Sequence, residues 1–299
     1  YSGGHGSALV AIEVVRKYGK ENVILLNHNI NPKYEVEDIK RFKREIAEYL
    51  GLPITYANYG GIEDENEIPS QFAVATLKKG FKGTNSPEFC TYELKTKPFY
   101  DYLAKNFPDK NCIVYYGFDA NELHRVERRK SILNDIEIMS DFPTAVWGST
   151  LYTALIQYFT DKGKDFSTIA MVEKYRDTSN DIRTIESTLE IGIKPPNTYS
   201  IWKHANCLGC LKAGKQHWYC VYVHARDIYE EAKETEFIIG HAIIAEGVWL
   251  KDLEKDFEKM LTAGVPANEH IDSGKFWKSA KKYTKQNMQD LFPCECWSN

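Results

Sequence analysis

A glycine-rich loop followed at once by an amphipathic run constrains the fold more than any other feature of this sequence. The loop consists of Tyr1, Ser2, Gly3, Gly4, His5, Gly6 and Ser7. The next run, Ala8 to Tyr18, carries apolar residues at helical spacing. Glycines let backbone N–H groups approach an anion closely, and a helix N-terminus attracts negative charge. The pattern predicts a phosphate-binding loop, with a tight turn capped by Ser7 as the alternative.

The segments after the loop alternate between helical periodicity and short apolar runs. Strands are predicted at Val23–Leu26, Ile54–Tyr56 and Cys112–Tyr116, and a helix at Glu35–Leu50. This alternation is typical of an α/β fold with a doubly wound, mostly parallel sheet. Ligands bind at the carboxyl ends of such strands. The residues at those ends, which we therefore predict to bind the ligand, are Asn27, Asn29 and Gly117.

The composition changes after Pro195-Pro196, where Cys, His and Trp become concentrated and further helical patterns follow. We therefore predict two domains. Residues 1–194 form the nucleotide-binding α/β domain, and residues 195–299 form a smaller, helical, cysteine-containing subdomain.

The charge balance does not indicate a polyanion-binding protein as a whole. The chain has 38 Lys and Arg against 42 Asp and Glu, a net charge of −4. A local basic cluster at 125–130 remains a candidate nucleic-acid contact. No apolar run approaches the ~18 residues of a membrane span, so we expect no membrane partner. A homo-oligomer is left open.

The seven cysteines are unevenly spaced, and two close pairs lie in the last third of the chain. Cys207 and Cys210 are separated by two residues, and Cys294 and Cys296 are separated by one. This spacing suits metal ligation better than a disulfide framework, and four thiolates bind zinc or a 4Fe-4S cluster alike. Free cysteines in a reducing cell are the alternative. The pattern predicts a metal site and a cytoplasmic location.

These motifs together resemble the phosphoadenosine phosphosulfate (PAPS) reductase family of the adenine-nucleotide α-hydrolase superfamily, in particular its phage-like members. The loop Ser2-Gly3-Gly4-His5-Gly6-Ser7 is similar to the family's PP-loop. Two further segments, Cys90-x-x-x-Leu94-Lys95-x-x-Pro98 and Gly117-Phe118-Asp119-x-x-Glu122-x-x-Arg125, are similar to recurring family segments. Many relatives have Asp where this chain has Gly6 and Asn29.

The resemblance implies an enzyme that binds ATP or PAPS, with magnesium among its expected cofactors. Lys95 and Arg125 are then expected to contact phosphate or sulfate oxygens, although Glu122 is also spaced to pair with Arg125 on a helix. Cys90 or Cys296 is the expected nucleophile, because the thiolate is the attacking form. Cys90 is alternatively a buried thiol or a ligand of the cluster.

Two other functions fit the same residues. One is an ATP pyrophosphatase that adenylates an acceptor for sulfur transfer, and this acceptor is a nucleic acid or a small molecule. The other is a nucleotide-binding regulatory protein without catalytic activity, which the residues at positions 6 and 29 favour.

Overall fold

The computed structural model describes residues 1–83, 88–119, 122–145, 147, 184–205 and 207–284. The chain folds as two compact units, each built from several segments of sequence. The first unit comprises Tyr1–Asn27, Ile39–Ala57 and Phe99–Pro196. The second unit comprises His28–Asp38, Asn58–Pro98 and Asn197–Asn299.

Helices and strands alternate along the first half of the chain, and helices follow. In chain order the elements are α1 (His5–Tyr18), β1 (Leu25–Asn27), α2 (Glu37–Leu50), β2 (Ile54–Tyr56), α3 (Gln71–Lys78), α4 (Phe89–Thr91), α5 (Lys97–Asn106), β3 (Ile113–Tyr115), α6 (Leu123–Asp135), β4 (Met139–Asp141), α7 (Lys215–His224), α8 (Arg226–Ile239), α9 (Leu250–Thr262) and α10 (Ser273–Thr284). A π-helical turn, Tyr92–Thr96, joins α4 to α5. None of the described helices is long and apolar enough to cross a membrane.

The first unit contains two pairs of parallel strands. β1 pairs with β2, with Leu25 opposite Ile54, and β3 pairs with β4, with Ile113 opposite Met139. A helix connects the strands of each pair, as parallel strands require. The structure therefore confirms a mixed α/β fold with parallel pairing. Among the described residues each sheet has two strands.

The first strand lies one to two residues later than the sequence predicted. α1 is capped by Gly19, whose φ of +80° suits glycine. A 3₁₀ turn at Lys20–Asn22 follows, and Val23 caps this turn instead of starting the strand. β2 coincides with its predicted range. α6 and β4 were not predicted, because the charge-rich sequence of α6 masks its apolar stripe of Leu123, Val126 and Leu133.

Each unit has its own core. In the first, α1 buries Ala8 to Ile12 against Leu25 of β1 and Phe42 of α2. A smaller cluster forms around Leu103, Leu133 and Ile138. The core of the second unit is aromatic, and its fully buried side chains include Trp218, Tyr219, Tyr229, Phe257, Phe276 and Trp277.

This division differs from the predicted boundary at residue 194. Residues 28–38 and 58–98 group with the C-terminal helices, and not with the rest of the first 194 residues. The physical reason is that Tyr34 and Phe72 are buried in the same core as Trp218. Local periodicity cannot show this, because the residues that share the core are more than a hundred positions apart.

Candidate functional site

The glycine-rich loop of the first unit is shaped by a backbone conformation that needs glycine. Gly3 has φ +81°, and a Cβ added there would lie 2.8 Å from Cγ of Lys43 and 2.9 Å from Cγ2 of Ile39. A side chain at this position would therefore be strained twice, by its φ angle and by the contact with α2. Lys43 is itself buried, and its aliphatic stem supports the loop.

Ser7 closes the loop by hydrogen bonding within it. Its hydroxyl donates to the carbonyl oxygen of Gly4 at 2.8 Å and accepts from the N–H and the hydroxyl of Ser2, both at 3.3 Å. α1 begins at His5, three residues before the apolar run that starts at Ala8. The first N–H groups of a helix have no intrahelical partner, so the N-terminus of α1 remains suited to an anion.

Gly117, which follows β3, packs directly against the start of α1. A Cβ added at Gly117 would lie 2.8 Å from the carbonyl carbon of Gly6 and 2.8 Å from the backbone nitrogen of Ser7. These are contacts with backbone, which cannot swing aside. The structure therefore brings together the loop and the end of β3, both of which the sequence predicted as parts of one site.

Asn27, at the carboxyl end of β1, is only 4% exposed. Its Nδ2 donates to the carbonyl oxygen of Tyr1, whose backbone nitrogen donates to the carbonyl oxygen of Leu26 at 2.7 Å. Among the described residues its Oδ1 has no hydrogen-bond partner. Buried polar atoms are usually satisfied, so this oxygen can accept a hydrogen bond from a donor that reaches the end of the strand.

His5 contacts a segment that the sequence did not connect with the loop. Its Nε2 accepts the N–H of Thr188 at 3.3 Å, so a neutral ring carries its proton on Nδ1. Thr188 begins the 3₁₀ turn Thr188–Ile191, which is stabilised by a capping box between Ser187 and Glu190. The Ser-x-x-Glu pattern was the available signal for this turn, but nothing in it indicates His5 as a partner.

Arg125 lies on the first turn of α6 with local partners. Its guanidinium contacts the carboxylate of Glu122 and lies 4.2 Å from the ring centroid of Phe118. The side chain is 51% exposed. The helical ion pair anticipated from the spacing is therefore present, and an anion at Arg125 would have to compete with Glu122.

Asn29 and Lys95 belong to the second unit. The N–H of Asn29 donates to Oδ1 of Asn58 at 2.8 Å. The half-buried Lys95 lies near the thiol of Cys207, whose Coulombic interaction is the first cause of the raised pKa of this lysine. Cys210 and Cys90 raise the pKa further. Within its unit, Lys95 is thus a cation beside a group of cysteines, as is Lys212 beside Cys210.

Cys90 is a half-buried free thiol with a raised pKa. Burial raises its pKa from 9.0 to about 12, and the nearby Cys207 and Cys210 add to this effect, whereas Lys95 opposes it. Burial also raises the pKa of Cys210. Since only the thiolate attacks, Cys90 needs a further positive charge to act as a nucleophile.

A cavity of about 210 Å³ opens beside Cys207 and Cys210. His217 lies in its wall, where Nδ1 contacts the carboxylate of Glu269 and Nε2 accepts the N–H of Cys210 at 3.2 Å. The residues lining the cavity are Trp202, His204, Cys207, Leu208, Cys210, Lys212, Ala213, His217 and Glu269. The cysteine turn is thus held against a carboxylate–histidine pair.

The structure describes half of the predicted metal site. Cys207 and Cys210 are free thiols in one turn, which fits two ligands of a tetrahedral metal. Cys294 and Cys296 lie outside the described residues. Within the described part of the chain, no group of three or more His, Cys, Asp and Glu side chains is arranged to hold a metal.

Comparison of the chain with protein-family models, with curated proteins and with solved structures finds no match. The motif resemblance therefore remains a prediction from the residues themselves.

Proposed function

We propose that this chain binds an adenine nucleotide and acts in sulfur or sulfonucleotide chemistry, as its resemblance to PAPS reductases implies. In this proposal the two strand pairs belong to a doubly wound, mostly parallel sheet. The glycine-rich loop holds the pyrophosphate, sulfate or phosphate group of ATP or PAPS.

One observation carries the proposal: the backbone of Gly117 lies against the backbone of Gly6 and Ser7, with no room for a Cβ. Two glycines in backbone contact bring the end of a parallel strand to the N-terminus of a helix. This is the arrangement in which open α/β sheets bind anionic ligands. The buried Oδ1 of Asn27 at the end of β1, which has no partner among the described residues, gives independent support.

The charge that develops on the nucleotide would be met by backbone dipoles and by Arg125. The N-terminal amides of α1 are fixed in place and need no reorganisation during the reaction. Arg125 would exchange Glu122 for an oxygen of the anion, while Phe118 keeps its guanidinium oriented. The hydroxyl of Ser7 acts on the site indirectly, because it holds the shape of the loop.

The nucleophile or the electrons would come from a cysteine. Cys90 is protonated at neutral pH, so Lys95 and any additional cation at the cluster decide whether it can react. Cys296 is the second candidate. If a metal or an iron–sulfur cluster is bound, Cys207 and Cys210 would hold it together with Cys294 and Cys296, and a cluster would supply electrons.

Product analysis under anaerobic, reducing conditions tests this proposal. The purified full chain is incubated separately with PAPS and with ATP, and the Cys90→Ser and Cys296→Ser variants serve as controls. We expect release of sulfite from PAPS, which one of the two variants abolishes. AMP and pyrophosphate from ATP would instead identify the adenylating alternative. Saturable nucleotide binding without any product would contradict the enzymatic proposal.

A further inference from the structure

The helix α6 carries three arginines on one face, which we call the arginine stripe: Arg125, Arg128 and Arg129. Positions i, i+3 and i+4 of a helix lie on the same side, so the stripe is about 100° wide and about 6 Å long. Glu127 lies on the opposite side of the helix by the same periodicity. The stripe is therefore one face of guanidinium groups from which Glu127 is turned away, and Glu122, the residue before the helix, is the carboxylate that contacts it.

Aromatic rings hold two of these three guanidinium groups. Arg125 lies 4.2 Å from the ring centroid of Phe118, and Arg129 lies 5.6 Å from that of Tyr116. The two rings stack on each other with centroids 5.2 Å apart, and both stack on Phe142. Arginine side chains that are already oriented lose less conformational freedom when they bind a ligand.

Arg128, in the middle of the stripe, differs from Arg125 and Arg129 because no aromatic ring among the described residues holds its guanidinium group. It is exposed, and among the described residues no acidic side chain pairs with it. Arg125 has Glu122 as its partner, and Arg129 donates to the phenol oxygen of Tyr100 at 3.5 Å, which is a hydrogen bond and not an ion pair. The stripe thus has more positive charge than these neighbours neutralise, on a protein whose net charge is −4.

We propose that the arginine stripe of α6 is a docking surface for the backbone of a single-stranded nucleic acid. Phosphodiester groups carry the negative charge that would neutralise the arginines of this stripe. Guanidinium groups bind phosphate oxygens in a bidentate manner. The three groups lie on one face of α6, which suits neighbouring phosphates of one strand. Docking of the strand requires neither the loop nor a bound nucleotide, although it shares Arg125 with the proposed nucleotide site, so Arg128 is the residue that tests the stripe by itself.

Fluorescence anisotropy with a short, labelled polythymidine strand tests the proposal. The full chain is titrated at several salt concentrations. We expect an affinity whose logarithm falls with the logarithm of salt with a slope of about −2, as contacts with about three phosphates of a single strand predict. Arg128→Ala should weaken binding about threefold to fivefold at low salt, as loss of an exposed ion pair predicts, and should make the slope shallower by about 0.7.

Two control variants locate the binding on the stripe. Arg128→Lys keeps the charge and should retain most of the affinity. Lys255→Ala removes an exposed charge from α9 in the other unit, and it should bind like the wild type.

Three results would overturn the proposal. The first is an absence of binding at low salt. The second is an identical affinity and salt slope for the wild type and Arg128→Ala, with both proteins folded by circular dichroism. The third is tighter binding of a duplex of the same length than of the single strand.

Discussion

The loop of the first unit and the aromatic core of the second are built in opposite ways. In the loop, backbone packs on backbone at Gly6 and Gly117, and adding one methyl group at Gly117 would create a clash. In the aromatic core, large rings such as those of Trp218 and Tyr229 fill the space. A substitution that adds atoms should therefore disrupt the loop, whereas a substitution that removes atoms should destabilise the aromatic core.

The two regions should also contribute to different properties of the protein, the loop to ligand binding and the aromatic core to stability. Hydrophobic stabilisation is proportional to the apolar area removed from water, so the rings carry much of the free energy of folding of their unit. The loop buries little area, but it fixes where the amides point. Substitutions in the two regions should therefore affect different measurements.

The largest effect is expected at Tyr229, which is fully buried and donates from its hydroxyl to the carbonyl oxygen of Leu250 at 2.6 Å. Tyr229→Ala removes the ring and should lower the free energy of unfolding by about 3–5 kcal/mol. Urea denaturation measures this change in the free energy of unfolding. Tyr229→Phe keeps the ring and should cost about 1–2 kcal/mol, because only the hydrogen bond is lost. Equal losses in the two variants would refute the view that the ring dominates.

A smaller effect is expected at Arg125, on binding and not on stability. Arg125→Ala should weaken binding of ATP or PAPS about tenfold, the lower end for a charged hydrogen bond, because Glu122 already competes for this side chain. Arg128→Ala should leave nucleotide affinity unchanged. Titration calorimetry compares the two. Equal effects would remove Arg125 from the nucleotide site.

The hydroxyl of Ser7 should contribute less than Arg125, since it acts through the shape of the loop. Ser7→Ala removes the bond to Gly4 at 2.8 Å and the acceptor for Ser2. We expect nucleotide affinity to fall by about 1 kcal/mol, or roughly fivefold, with little change in melting temperature. Ser7→Thr keeps the hydroxyl and should bind better than Ser7→Ala, and a reversed order would contradict this role.

An effect that appears only at alkaline pH is a pH dependence of stability that arises from Cys90. Burial raises the pKa of this thiol from 9.0 to about 12 in the folded chain. Between these values the unfolded chain binds fewer protons than the folded one, so stability falls as pH rises above 9. Below that pH this contribution is fully present. In urea denaturation at several pH values, Cys90→Ala should lose stability less steeply than the wild type across this window.

Local features were the ones that the sequence predicted well. The observed range of β2, Ile54–Tyr56, is the range that the sequence predicted. The rule that ligands bind at strand ends also led us to group Gly117 with the loop, and the two are in contact in the structure. These predictions depend on residues within one loop or one strand, where propensity and spacing decide the structure. The Glu122–Arg125 pair was likewise visible in the spacing alone.

Long-range packing was not predictable in this way. No periodicity shows that Tyr34 and Phe72 share a core with Trp218, so the discontinuous units could not be anticipated from local patterns. The contact between His5 and Thr188 joins residues 183 positions apart. Lys95 resembled a phosphate ligand by its motif, yet its neighbours are the thiols of the second unit. Tertiary contacts decide such roles, and the pattern of a single sequence does not show them.

Nucleotide binding by Gly117→Ala tests the central claim most directly. The added Cβ would meet the backbone of Gly6 and Ser7 at 2.8 Å, so the loop must move. Gly214→Ala is the matched control, because its Cβ meets nothing within 4 Å and its φ is negative. By titration calorimetry with ATP and with PAPS, we predict that Gly117→Ala loses measurable binding while Gly214→Ala keeps wild-type affinity. Wild-type affinity in a folded Gly117→Ala protein would contradict the assignment of the loop as the nucleotide site.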